Sequence, residues 1–188
     1  MLVNQTLWSP NISAASRNLN SVLGFVVHAT ASGAPALNIA KYFANPDNEV
    51  STHYVIGKDG FCIQCVPLNR VAWAIGASHV AGINNTSTVS AELCNLNDGV
   101  DPFPAVQVKK LADVIKAVRR VCPNLPLTRI FEHADTSVQG KSDMRANFPI
   151  ERLLWYILVP TWVPFPGKAA AYKLFPPWAK HEADLFNT

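Results

Sequence analysis

The chain has 188 residues, of which 49% are apolar and 15% charged, with a formal net charge of +3 at neutral pH. That balance excludes a disordered chain and suits one domain with a single core. The charge is too small and too scattered for a nucleic-acid binder, and no apolar run approaches the ~20 residues that span a bilayer.

The first ten residues, Met1 to Pro10, lack the basic start and apolar core of a secretory signal. Synthesis in the cytoplasm without an integral membrane segment is therefore expected. The four cysteines, Cys62, Cys65, Cys94 and Cys122, fit reduced and mostly buried thiols. Cys62 and Cys65 form a C-x-x-C, but no second pair follows to complete a zinc knuckle. On a strand their odd separation sends the two side chains to opposite faces.

In chain order, residues 22–28 read as a buried strand ending at His28. Ala36 to Ala44 has helical spacing, with Leu37, Ala40, Tyr42 and Phe43 on an apolar side and Pro46 as its stop. Thr52 to Ile56 and Phe61 to Pro67 read as strands joined by the Asp-Gly turn Lys58-Asp59-Gly60. A loop from Ser78 precedes a strand over Thr88 to Cys94. Ala105 to Val121 is the clearest helix, with Val108, Leu111, Ile115 and Val118 at helical spacing and Pro123 beyond its end. Its Lys109-Lys110 and Arg119-Arg120 pairs read as a solvated face. Leu127 to Phe131 reads as a strand delivering His133, and Ile150 to Leu158 as a closing helix. The alternation implies an α/β domain, a mixed sheet flanked by helices, over residues 1–159. Residues 160–188 form an extension rich in Pro and aromatics, including Trp162, Phe165, Phe175, Trp178 and Phe186. It is expected to pack back on the domain, because isolated exposed tryptophans are unusual.

Chemistry concentrates in Glu132 to Asp143, which reads as a loop with almost no regular pattern, where a histidine, a lysine and an aspartate fall within eleven residues. Imidazole and carboxylate are good zinc ligands, and an ammonium can hold a developing oxyanion. His28, at the rim of a buried strand, is a further candidate ligand. Glu92 lies in the apolar strand Val89-Ser90-Ala91-Glu92-Leu93, where a carboxylate needs a reason. Nothing in composition or spacing pairs His28 with His133.

Several ordered blocks over about residues 22–155 carry a resemblance. Phe25-Val26-Val27-His28-Ala29-Thr30-Ala31 is similar to a strand ending in a zinc histidine. Ser51 to Gly60 resembles "SaHyvI-x-x-DG", Gln64-Cys65-Val66-Pro67 resembles "Q-x-VP", and Ala72-Trp73 resembles "AW". Ser90-Ala91-Glu92-Leu93 resembles "GIEL", and His133 to Asp143 resembles "H-x-D…GrK-x-D". Together they resemble the type 2 N-acetylmuramoyl-L-alanine amidases, zinc enzymes that include phage lysins, muropeptide amidases and peptidoglycan recognition proteins.

The resemblance implies a Zn2+ ion bound by His28, His133 and Asp143, with Glu92 as general base and Lys141 as oxyanion stabiliser. It makes Asp135 a loop-stabilising residue, while His53 reads equally as a substrate contact or a packing group, and Trp73 as a surface stacking on sugar or peptide or as core. It further implies a monomer acting on peptidoglycan or muropeptides, as a phage or prophage endolysin or as a cytoplasmic recycling amidase. Two rivals are a non-catalytic peptidoglycan-binding module and a muramidase pairing Glu92 with Asp135. The chain departs from the family pattern in three places. Ala74 stands where "AWHAG" has histidine, with His79 as a substitute, and Thr52 stands where some members carry a catalytic tyrosine. Asp143-Met144-Arg145 replaces "DPG".

Overall fold

A computed structural model describes residues 1–144, 147–160, 163–176 and 180. Six strands form one sheet: β1 (Gln5–Thr6), β2 (Gly24–Ala29), β3 (Tyr54–Ile56), β4 (Cys62–Gln64), β5 (Thr88–Leu93) and β6 (Ile130–Glu132), in the order β1-β4-β3-β5-β2-β6. The β3–β4 pair is antiparallel and every other pairing is parallel. The helices are α1 (Ala36–Ala44), α2 (Ala105–Val121), the single turn α3 (His133–Thr136), α4 (Ile150–Leu158) and α5 (Lys168–Leu174).

Strand β2 is buried along its whole length, which explains its unbroken apolar sequence: both faces are covered. One face carries Phe25, Val27 and Ala29, joined by Val89, Ala91 and Leu93 of β5 in the main core. Helix α2 lays Val108, Leu111, Ala112, Ile115 and Val118 over it. Gln107 is fully buried within this layer. Its amide donates to Ile56 O at 3.0 Å and Cys94 O at 3.1 Å, which ties α2 to the ends of β3 and β5. Arg119 and Arg120 occupy the last turn of α2, where positive charge suits the helix dipole.

Helix α1 covers the opposite face over β3 and β4, packing Ala36, Ala40 and Phe43 on Val55, Ile63, Cys65 and Cys94. Cys62 and Cys65 lie in different clusters, on opposite sides of the sheet as their odd spacing requires. All four thiols are free and buried, and burial pushes Cys62, Cys65 and Cys94 up to about 12. The hairpin turn places Gly60 at φ +78°, a left-handed conformation that favours glycine.

Strand β2 leads to α1 on one face, while β5, its direct neighbour, leads to α2 on the other. The carboxyl ends of β2 and β5 therefore mark a topological switch point, where open α/β sheets form ligand crevices.

Two expectations need correction. Leu127–Arg129 forms a 3-10 turn after Pro126, and the strand is confined to Ile130–Glu132. His133 opens a helical turn closed by Ser137 N–H to His133 O, rather than lying in irregular loop. In the extension, α5 buries Ala171, Phe175 is buried behind it, and Phe165 meets Trp155 edge-on at 6.3 Å. Trp162, Trp178 and Phe186 lie outside the described residues. Among the described residues no helix is long and apolar enough to cross a membrane.

Candidate active site

The parallel register places His28 beside Glu92 at the carboxyl ends of β2 and β5. On each strand these residues alternate with core residues, so burying Val27 and Ala91 against α2 turns His28 and Glu92 to the other face. Strand β6 pairs with β2 and brings His133 alongside, and the His28 and His133 rings lie 4.4 Å apart. Ala134 N–H donates to Asp143 O at 2.7 Å, fastening the Asp143 segment to the His133 turn. The Asn97 amide donates to Ser142 O at 3.3 Å from beneath.

Asp143 then stands between the two imidazoles. Its Oδ2 is 3.2 Å from His28 Nδ1, and its Oδ1 is 3.2 Å from His133 Nδ1. One donor atom from each of the three residues lies within 4.8 Å of the others. Burial acts to raise the Asp143 carboxyl, but hydrogen bonds from His133 and His28 and their charge outweigh it and hold it well below the usual carboxylate range. His28 is lowered by burial, which exceeds the opposing pull of Asp143.

The donor set fits a metal ion on tautomer grounds. His133 Nε2 lies 3.4 Å from Ile75 O, an acceptor, which suits the tautomer protonated at Nε2 rather than the one that donates to Asp143. A neutral ring then leaves a bare Nδ1 lone pair facing a carboxylate oxygen at 3.2 Å. Two acceptors face each other only with a cation between them, either a proton or a metal. Two nitrogens and one oxygen also leave a tetrahedral ion one open position.

A cleft of about 380 Å³ opens above this cluster, and His28, Thr30, Tyr42, Trp73, Glu92, His133, Lys141 and Asp143 are among its lining residues. Glu92 Oε2 is buried without a hydrogen-bond partner. Burial first, and the Asp143 charge second, push the Glu92 carboxyl up to about 8. Lys141 is exposed at the wall. Trp73 is 37% exposed, and its indole N–H donates to Ser13 Oγ at 3.3 Å.

His53, a candidate substrate contact, is elsewhere. It is 1% exposed and absent from the cleft lining. Arg17 Nη2 lies 2.8 Å from its Nε2, and Ser90 Oγ lies 3.2 Å from its Nδ1. Burial and then the Arg17 charge lower its pKa to about 3, so the ring is a neutral packing group. Its covering by Arg17, from a segment before the first recognised block, left no signal in the sequence. His79 also does not line the cleft; its N–H donates to Thr136 O at 3.0 Å. Asp135 Oδ2 accepts the Glu132 N–H at 3.4 Å and likewise does not line the cleft.

The model of the family described as N-acetylmuramoyl-L-alanine amidase matches residues 18–146. The chain belongs to this family. It is 31% identical over 119 residues to the 1,6-anhydro-N-acetylmuramyl-L-alanine amidase AmpD of Haemophilus influenzae, covering 62% of this chain and 64% of that protein. It is 36% identical over 70 residues to the N-acetylmuramoyl-L-alanine amidase XlyA of Bacillus subtilis, covering 37% of this chain and 23% of that protein. The chain thus matches less than two thirds of the length of each curated relative. The solved structure of PlyL superposes with a TM-score of 0.60 at 27% identity, covering 75% of this chain and 85% of that one.

Proposed function

We propose that this chain hydrolyses the amide bond between N-acetylmuramic acid and L-alanine in peptidoglycan, using zinc held by His28, His133 and Asp143. The observation that supports it most is the clustering of these three side chains beside the buried carboxyl of Glu92, in a member of an amidase family. Zinc, when bound, lowers the pKa of a coordinated water toward neutrality and polarises an amide carbonyl.

The remaining chemistry belongs to the chain. Burial alone favours the protonated Glu92 carboxyl, but the positive charge of a metal held beside it would favour the carboxylate, and with no competing hydrogen bond on Oε2 that carboxylate would accept the proton of the attacking water. It returns that proton to the leaving amine of L-alanine. Lys141, at the cleft wall, supplies an ammonium to the oxyanion of the tetrahedral intermediate. Trp73 contacts substrate from the opposite segment. The same reading makes the chain a monomeric enzyme of peptidoglycan or muropeptides, with residues 160–188 as an extension of the 1–159 domain. The likeness to AmpD favours a 1,6-anhydro-N-acetylmuramyl-L-alanine substrate, and that to XlyA an N-acetylmuramoyl-L-alanine one; the bond broken is common to both.

The muramidase alternative lacks its second carboxylate, since Asp135 caps Glu132 and does not line the cleft. The test is digestion of purified sacculi and, separately, of soluble anhydro-muropeptide. New L-alanine amino termini should appear without new reducing ends. Chelator should stop the reaction and zinc restore it, while His133→Ala should lose both metal and activity. New reducing ends without alanine termini would defeat the amidase reading.

A further inference from the structure

The cleft lining falls into two chemical groups carried by different elements. Its charged and metal-ligating lining residues, His28, Glu92, His133, Lys141 and Asp143, come from strand ends and the His133 segment. Its other wall is built by α1 and the segments at Val50 and Trp73, and presents Tyr42, Val50 and Trp73 to solvent at 52%, 37% and 37% exposure. Large apolar side chains gathered in one cleft and left open carry a solvation cost that a ligand removes.

This wall is rigidly assembled. Asn11, itself 3% exposed, donates through its amide to Phe43 O at 3.3 Å, Asn45 O at 2.9 Å and Val50 O at 3.1 Å. That one side chain joins the end of α1 to the Val50 segment. Ser51 N–H donates to Trp73 O at 3.1 Å, and Trp73 N–H to Ser51 Oγ at 2.9 Å, joining Val50's neighbour to Trp73. Tyr42 packs edge-on against buried Phe43 at 5.8 Å. The aromatic groups are therefore positioned before any ligand arrives, which reduces the ordering cost of binding.

We infer that Tyr42, with Val50 and Trp73, forms the sugar side of the cleft and seats an N-acetylhexosamine ring of the glycan, leaving the stem peptide to the Lys141 side. A pyranose presents a face of C–H groups and an acetamido methyl, and these suit a fixed aromatic wall. The stem peptide beyond L-alanine carries carboxylates, which suit the ammonium. Tyr42 acts by stacking, so its ring matters and its hydroxyl does not. The inference rests on the amidase reading for its choice of substrate.

The experiment compares N-acetylmuramoyl-L-alanyl-D-isoglutamine with (R)-lactoyl-L-alanyl-D-isoglutamine, which keeps the scissile amide and lacks the sugar. Tyr42→Ala should raise KM for the first by about tenfold, the scale of one aromatic contact, and leave kcat/KM for the second unchanged. Tyr42→Phe should restore the wild-type KM. Independently of catalysis, N-acetylglucosamine tetrasaccharide titrated into the protein should quench tryptophan fluorescence, and Tyr42→Ala should weaken that binding by a similar factor. Equal losses on both substrates, or undiminished tetrasaccharide binding by Tyr42→Ala, would overturn the sugar wall. Failure of every form to cleave either amide, with Tyr42-dependent tetrasaccharide binding intact, would remove the amidase reading and leave the wall standing.

Discussion

The two faces of the central sheet are made by alternate residues of the same strands, yet at the carboxyl ends of β2 and β5 they have opposite chemistry. On the α2 side, Phe25, Val27, Val89, Ala91 and Leu93 are almost completely buried among aliphatic neighbours. On the cleft side, His28, Ser90 and Glu92 occupy the intervening positions, with His53 reaching Ser90 from the chain ahead of β3. One face is held by the removal of apolar surface from water, and the other buries polar groups, which is costly wherever a polar atom lacks a partner. Glu92 Oε2 and His28 Nε2 are buried without partners. The α2 face therefore bears the cost of polar atoms that the cleft face keeps available for chemistry.

Substitutions that separate stability from activity sharpen this contrast. The largest effect is expected at Leu111, fully buried in the α2 layer. Leu111→Ala should cost about 2–5 kcal/mol of stability in denaturant unfolding, with little change in kcat for the protein that remains folded. Glu92→Gln should behave in the opposite way. Activity should fall by about 10²-fold or more, while zinc content and fold persist. An unfolding midpoint lowered as far as that of Leu111→Ala, with activity intact, would break the division of labour between the faces.

A third effect is a pH dependence of stability in the metal-free protein. The Glu92 carboxyl is raised from 4.5 in its ordinary state to about 8 in the fold. A carboxyl with a raised folded pKa contributes its stabilisation fully below 4.5 and loses it as pH rises through about 8. Glu132 is raised to about 8 as well, by burial and then by Asp135, so the wild-type curve alone does not isolate Glu92. The difference between wild type and Glu92→Gln does. It should move in favour of the variant between about pH 5 and pH 8 in chelator-treated protein. Parallel curves for the two would mean that Glu92 is solvated in the fold.

Much of the architecture was legible because its signals are local. The helices at Ala36–Ala44, Ala105–Val121 and Ile150–Leu158 have the ends expected from apolar spacing and nearby prolines. The strand expected at Leu127 to Phe131 was placed too early. Its three branched or charged residues after Pro126 form a 3-10 turn, and pairing with β2 begins only at Ile130. The N-terminal segment gave no usable pattern, since β1 is two residues long and Arg17 works through carbonyls of distant segments. That gap is why the sequence leaves His53 between substrate contact and packing group. Tyr42 was read only as part of an apolar helix side, because periodicity does not distinguish a side chain facing the core from one at the edge of a cleft.

Residue type and period by themselves determined the α/β class, the opposite facing of Cys62 and Cys65, the burial of β2 and the concentration of ligand-type side chains around His133. These follow from the 2.0 and 3.6 repeats of strand and helix, which each segment carries within itself. Only the tertiary structure decided that His28 meets His133 and Asp143, that Glu92 stands beside His28, and that His53 is sealed beneath Arg17. Those relations depend on strand order, parallel register and a connection that changes sides of the sheet, and they join residues separated by up to 115 positions, from His28 to Asp143. No local repeat records such distances, because they are set by which surfaces can be buried together once the whole chain has folded.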